Sequence, residues 1–148
     1  MANNTLDRYL EKQAELKSQI KANSLPPDML VVYQELNYRI DVLESCKAFC
    51  NTAPTTTDER VMMYHYSLVY RAVSNLAAEH KIGPKTDEEG KNKREAAQKS
   101  LEDVILSGAK RFQSYKISSQ DQYRKDVCAF VNSVLSVWIG YRNTYVNI

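Results

Sequence analysis

Apolar side chains recur at spacings of three and four residues over most of this sequence. Such spacing places the apolar side chains on one face of an α-helix. The four prolines fall between the periodic stretches, where proline is tolerated. The pattern predicts five helices: Asn4–Ala22, Pro27–Asn51, Thr57–Glu79, one that follows a cap at Thr86 and extends to Tyr115, and one that follows a cap at residues 118–121 and extends to Tyr145.

Two of the predicted helix starts carry the spacing of a capping box. Thr56 precedes Glu59 by three residues, and Thr86 precedes Glu89 by three residues. In this motif the hydroxyl and the acidic side chain each accept a hydrogen bond from a backbone N–H of the other residue. We therefore expect the third helix to begin near Thr57 and the fourth after Thr86.

The faces of the predicted helices indicate how they pack. The second helix has two apolar stripes, one running from Met29 to Cys50 and one from Val31 to Phe49. One stripe can pair with the first helix, and the other must face something else. The third and fifth helices are apolar on nearly every side, which is typical of a bundle centre or an interface. No run shows the strict alternation of a strand bounded by turn signals.

These patterns predict an all-α protein, a single-domain antiparallel bundle of about five helices. Within residues 1–148, residues 4–51 form a helical αα-hairpin and residues 57–148 a three-helix core. Of the residues, 43% are hydrophobic and 26% are charged, as in ordinary globular chains. The sequence starts without the cationic and apolar regions of a signal peptide, so we expect a chain that is cytoplasmic or inside a virion and not secreted by a signal peptide.

Candidate metal ligands and nucleophiles are scattered. Cys46 and Cys50 lie four residues apart, but Cys128, His65 and His80 stand on other elements and complete no paired motif. We interpret Cys50 as a small core residue and Cys46 as its half-buried neighbour. The four glycines are isolated, so phosphate-binding loops are absent. The sequence predicts no catalytic site, no metal site, no cofactor and no small-molecule substrate; an enzyme built around Cys46, His65 or Cys128 is the least favoured hypothesis.

Cations and aromatic residues cluster where the fourth and fifth helices meet. The net charge is only +2, yet residues 91–148 hold ten basic and five acidic residues. A helix N-terminus disfavours positive charge, so Arg124 and Lys125 hint at a phosphate or acidic protein partner, although Asp121 and Asp126 can neutralise them. The predicted nucleic-acid or anion-binding residues, named here the basic turn, are Lys110, Arg111, Tyr115, Lys116, Tyr123, Arg124 and Lys125.

Tyrosine is over-represented among the aromatic residues. There are ten tyrosines against three phenylalanines and one tryptophan. A phenol is apolar and polar at once, which suits interfaces. We expect a small bundle to leave several tyrosines uncovered at stripe edges and near chain ends: Tyr9, Tyr38, Tyr70, Tyr141 and Tyr145.

The predicted helices carry more apolar surface than one chain is expected to bury. Together with the tyrosines, this favours a non-enzymatic structural protein. We expect a helical protomer that self-associates as a homo-oligomer or filament. A finer hypothesis is a virion coat or scaffold subunit that packs against nucleic acid through the basic turn. The alternative is a monomeric or dimeric adaptor or chaperone that binds one protein partner. No membrane span is expected, because the longest apolar stretch falls short of the ~20 residues that a span needs.

Overall fold

A computed structural model describes residues 5–55, 58–78, 88–113 and 121–148. Within these ranges 85% of the residues are helical and no strand occurs, which confirms the predicted all-α class. The helices are α1 (Thr5–Lys21), α2 (Met29–Asn51), α3 (Glu59–Ala77), α4 (Glu88–Gln113) and α5 (Gln122–Asn143).

The chain divides into two compact units. The first, named the hairpin unit, comprises the chain up to Ser45 together with Ile148. The second, named the core unit, comprises Cys46–Asn147. The division falls inside α2, so the last turn of α2 belongs to the core unit. The single-domain organisation expected from the sequence stays a prediction.

In the hairpin unit, the end of α1 is set by an asparagine. Asn23 has a positive φ of 55°, a conformation that asparagine tolerates better than most residues. The N–H of Ser24 donates to the carbonyl of Gln19 at 2.9 Å, and the N–H of Asn23 donates to that of Ile20 at 3.0 Å. This is the Schellman pattern, which satisfies the last carbonyls of a helix and reverses the chain toward α2.

Side chains join α1 to α2 in an antiparallel hairpin. Gln13 Nε2 donates to Asn37 Oδ1 at 2.7 Å, and Arg39 donates to the hydroxyl of Tyr9 at 2.9 Å. The earlier residue of α1, Tyr9, contacts the later residue of α2, Arg39, and the later residue Gln13 contacts the earlier residue Asn37. The two helices therefore run in opposite directions. The hairpin is therefore formed as the sequence predicts.

The start of α3 differs from the prediction. Asp58 is the N-cap residue and accepts a hydrogen bond from the N–H of Arg60 at 2.9 Å. The expected capping box of Thr56 with Glu59 is wrong, because the aspartate two residues later caps the helix. Thr56, Thr86, Ser118 and Ser119 lie outside the described residues.

The core unit contains α3, α4 and α5 packed against one another. Tyr66 on α3 stacks on Phe112 near the end of α4, with ring centroids 4.4 Å apart, while Gln98 on α4 hydrogen-bonds the carbonyl of Ala77 near the end of α3. α3 and α4 are thus antiparallel. Gly108 lets α4 approach α5, because a Cβ atom at this position would overlap the ring of Phe130.

The two helices that are apolar on most sides have different surroundings. Most large apolar side chains of α5 are buried, with Val127, Val134 and Trp138 at 0% exposure, while Val137 and Ile139 are half-buried. This placement agrees with the bundle-centre alternative expected for a helix that is apolar on nearly every side, and polar residues such as Asn132 and Ser133 occupy its exposed side. On α3, by contrast, one side is buried and the other is exposed.

Candidate interaction surface

The structure describes five of the seven residues of the basic turn. Tyr115 and Lys116 lie outside the described residues. Lys110, Arg111, Arg124 and Lys125 have exposed side chains. The guanidinium of Arg111 lies 3.3 Å from the carboxylate of Asp126, so part of this charge is matched inside the protein.

Tyr123 is a correction to the predicted surface. Its side chain is 2% exposed, and its hydroxyl donates to the carbonyl of Met62 at 3.1 Å. The same oxygen lies 2.7 Å from Nδ1 of His65. The phenol is therefore a buried hydrogen-bonding group between α5 and α3, and it is not available to a ligand at the surface.

Arg124 has a structural explanation that the sequence did not reveal. Its Nε donates to the carbonyl of Cys50 at 3.1 Å, in the last turn of α2. Although Arg124 stands near the N-terminus of its own helix, it lies at the C-terminus of another, where a cation is favourable. This contact is a reason within the protein for a cation at position 124, beside the predicted role at the surface.

Several tyrosines expected at interfaces are inside the protein. Tyr9 and Tyr141 are buried, and their hydroxyls bond to Arg39 and Tyr145 respectively. Tyr145 is half-buried, with the guanidinium carbons of Arg94 and Arg142 each 5.4 Å from its ring centroid. Their placement does not support an interface. Tyr38 is half-buried and Tyr70 is exposed.

The remaining exposed apolar surface of the core unit is concentrated on α3. Leu106 on α4 is the other large hydrophobic residue exposed among the described residues of this unit. The exposed large apolar side chains of α3, named here the outer face of α3, are Val61, Met63, Tyr64, Leu68 and Tyr70. Tyr64 is the most exposed of these side chains, with 68% of its surface accessible.

Helical periodicity separates the outer face into two flanks. Val61, Tyr64 and Leu68 follow one another at spacings of three and four and therefore share one flank. Met63 and Tyr70, seven residues apart, share the other. Exposed Ser67 and Arg71 lie between the flanks. The buried side, which includes Met62, Tyr66 and Val69, packs into the core unit.

An apolar groove of ≈ 300 Å³ adjoins the first flank. Its far wall comes from the last turn of α2 and the segment that follows it, which were not among the predicted site residues. The lining residues are Phe49, Thr52, Pro54, Val61, Tyr64, His65 and Leu68. The pattern of the second stripe on α2, which ends at Phe49, was the sequence signal for this wall.

His65 connects the groove to the interior. Its ring meets that of Phe49 edge to face at 6.0 Å and that of Tyr123 at 5.6 Å. Because the hydroxyl of Tyr123 donates to Met62, Nδ1 of His65 is assigned as the donor to the phenol oxygen. Nε2, the other ring nitrogen, is buried. Burial lowers the pKa of His65 from 6.5, and the backbone of Phe49 opposes this shift in part.

The described part of the chain contains no group of three or more His, Cys, Asp or Glu side chains arranged to hold a metal ion. The cysteines are reduced, but their burial is the reverse of the expectation: Cys46 is buried and Cys50 is half-buried. None of the described helices has an apolar stretch long enough to cross a membrane. Comparisons with protein families, curated proteins and solved structures give no match to this chain.

Proposed function

We propose that this chain is a non-catalytic assembly protein, a helical protomer that associates with further copies of itself through the outer face of α3. The observation that supports this most is the concentration of five exposed large apolar side chains on one helix. Single apolar residues scattered over a surface are normal, whereas five on one helix, in two flanks beside Ser67 and Arg71, are a concentration of the kind found at interaction sites.

Self-association is favoured because the outer face carries a projection beside a recess. Tyr64 is 68% exposed and lines one side of the groove, whose other side comes from Phe49 and Pro54. A two-fold axis through such a face places the projection of each copy near the recess of the other. Tyrosine is also among the residues enriched at the centres of interfaces.

Sedimentation equilibrium of the purified chain over a wide concentration range tests the proposal. We expect the weight-average mass to rise above the 17.0 kDa of one chain as the concentration increases. A mass that stays at 17.0 kDa at every concentration would contradict self-association. Growth without limit supports a coat or scaffold subunit, whereas growth that stops at a dimer supports a smaller assembly.

The second candidate function is an adaptor that binds one protein partner. It is favoured by the confinement of the core unit's exposed apolar cluster to one helix, since a filament needs two complementary surfaces on each copy. A constant single-chain mass, together with a stoichiometric complex with another protein that is lost on substitution of Val61, supports the adaptor over the assembly protein.

The coat hypothesis adds nucleic acid as a partner of the basic turn. Exposed Lys110 and Lys125 support it, while the contacts of Arg111 and Arg124 inside the protein weaken it. We expect random-sequence RNA or DNA to bind with a salt-dependent affinity that falls in the double variant Arg124→Glu/Lys125→Glu. The control Lys91→Glu/Lys93→Glu changes the charge equally at the exposed start of α4. Equal loss in both variants would remove the basic turn as a specific site.

A further inference from the structure

Two cysteines from distant parts of the sequence meet in the core unit. Cys50 lies in the last turn of α2, and Cys128 lies one turn beyond Arg124 on α5. Since Arg124 Nε reaches the carbonyl of Cys50 at 3.1 Å, this side of α5 faces the end of α2. The Cys50 thiol is in hydrogen-bonding and electrostatic contact with that of Cys128. Both side chains are half-buried, and both thiols are reduced.

We propose that Cys50 and Cys128 are an oxidation site that forms a reversible disulfide by exchange with a low-molecular-weight disulfide such as oxidised glutathione. The site is independent of the proposed function. Their partial exposure admits a small reagent, and their contact lets the second thiol reach the first. The fully reduced protein holds the two sulfurs together without a covalent bond.

The exchange proceeds in two steps. The thiolate of Cys128 attacks one sulfur of the small disulfide, which forms a mixed disulfide and releases one small thiolate. The thiol of Cys50 then loses its proton to solvent and attacks the Cys128 sulfur, which breaks the mixed disulfide and releases the second small thiolate. The released thiolates take up protons equal to those lost, so two protein thiols are oxidised while one disulfide is reduced to two thiols.

Burial disfavours the thiolate form of Cys50. Burial, together with the neighbouring Cys128, raises the pKa of Cys50 to about 12, although Arg124 and Lys47 act in the opposite direction. Because the thiolate is the attacking species, Cys50 is a poor first nucleophile. It serves as the resolving thiol once Cys128 carries the mixed disulfide.

Cys46 provides an internal control on the same helix. Cβ atoms four residues apart on a helix are about 5–6 Å from each other, whereas a disulfide needs ~3.5–4.5 Å. A native α2 therefore disfavours a bond between Cys46 and Cys50. In the unfolded chain the Cys46–Cys50 disulfide is the favoured one. Closing the short loop between these two cysteines is favoured over closing the long loop from Cys50 to Cys128 by on the order of 100-fold.

The test is disulfide mapping of the full chain. The reduced protein is incubated with oxidised glutathione under native conditions and in denaturant, alkylated, digested and analysed by mass spectrometry. We expect the native sample to join Cys50 to Cys128 with Cys46 alkylated, and the denatured sample to join Cys46 to Cys50. Native samples that contain only free thiols, only mixed disulfides, or a bond to Cys46 would each overturn the proposal.

Three variants sharpen the test. Cys46→Ala should keep the native disulfide, whereas Cys50→Ala and Cys128→Ala should form no disulfide within the protein. Circular dichroism shows whether each variant retains its helices. If a variant does not fold, mapping of the wild-type protein under the two conditions still decides the outcome.

Discussion

The hairpin unit and the core unit join their helices through different kinds of side-chain contact. The hairpin unit buries a charged cluster: Arg39 is fully buried, its Nε lies 2.7 Å from the carboxylate of Glu35, and it also donates to Tyr9. The core unit instead joins its helices through stacked and tilted aromatic rings, among them Tyr66, Phe112 and Phe130. A buried ion pair loses stability when one of its partners is removed, because the other charge stays buried without it. An aromatic core loses stability when a substitution changes the volume or shape of a packed side chain.

The two units also differ in what they leave at the surface. In the core unit most of the exposed large apolar residues lie together on α3. In the hairpin unit they are divided between α1, with Leu10 and Ile20, and the start of α2, with Leu30 and Val31. A helix can thus bury one side in its own unit and leave apolar side chains exposed on the other side. α3 is the helix of the core unit that carries most of these exposed apolar side chains.

Removing the buried guanidinium should have the largest effect on stability. Arg39→Met leaves the buried carboxylate of Glu35 without its ion-pair partner, which typically costs about 3–5 kcal/mol. The double variant Arg39→Met/Glu35→Leu should recover much of that loss, since apolar side chains can replace a buried ion pair. Urea unfolding measures both. A loss below about 1 kcal/mol in Arg39→Met would contradict the importance of this cluster.

Adding a methyl group at the close contact between α4 and α5 should reduce the free energy of unfolding by less than Arg39→Met does. Gly108→Ala places a methyl group against the ring of Phe130 and should destabilise the protein by about 1–3 kcal/mol. Gly140→Ala is the matched control, because its Cβ would meet nothing within 4 Å and alanine favours a helix by about 0.5–1 kcal/mol. Thermal or urea unfolding should therefore give opposite signs for the two variants. The same sign for both would refute the role of Gly108 in the close approach.

Sequence periodicity predicted the helices well because it is a local property. The bounds of α1 differ from the prediction by one residue at each end, and those of α2 by two residues at its start. Arg39 was overlooked, although it lies three residues after Leu36 and four before Leu43, inside a buried stripe. A charge at such a position was the available signal for the buried cluster.

The candidate surface was only partly predictable. The sequence showed that α3 is apolar on most sides, but it could not show that α5 occupies the centre and α3 the outside. The role of Arg124 depends on which helix end lies beside it, and that is set by tertiary packing. Tyr9 and Tyr123 are buried because the fold supplies partners for their hydroxyls, which no local pattern specifies.

A smaller effect should distinguish two neighbouring cations. Arg124→Ala removes the donor to the carbonyl of Cys50 and should cost about 0.5–1.5 kcal/mol. Lys125→Ala removes the same charge from the adjacent exposed position and should change stability by less than about 0.5 kcal/mol. The difference in urea midpoint between the variants isolates the contribution of the cap. Equal midpoints would show that Arg124 does not stabilise the end of α2.

The buried imidazole should make stability pH-dependent over a narrow range. Because folding lowers the pKa of His65 below 6.5, the unfolded chain binds a proton first as the pH falls, and the free energy of unfolding decreases below pH 6.5. His65→Asn keeps a donor near the position of Nδ1 but does not titrate. Unfolding curves at several pH values should show a smaller decrease in the free energy of unfolding for His65→Asn than for the wild-type protein. Equal decreases in both proteins would show that His65 is not the cause of the pH dependence.

The central claim, that the outer face of α3 mediates assembly, is tested most directly by a matched pair of substitutions. Val61 and Val31 are both exposed and are each the third residue of a helix, α3 and α2 respectively. Sedimentation equilibrium of Val61→Asp should show a mass near 17.0 kDa at concentrations where the wild-type protein and Val31→Asp are larger. Association that is equal in both variants, or lost only in Val31→Asp, would contradict the account.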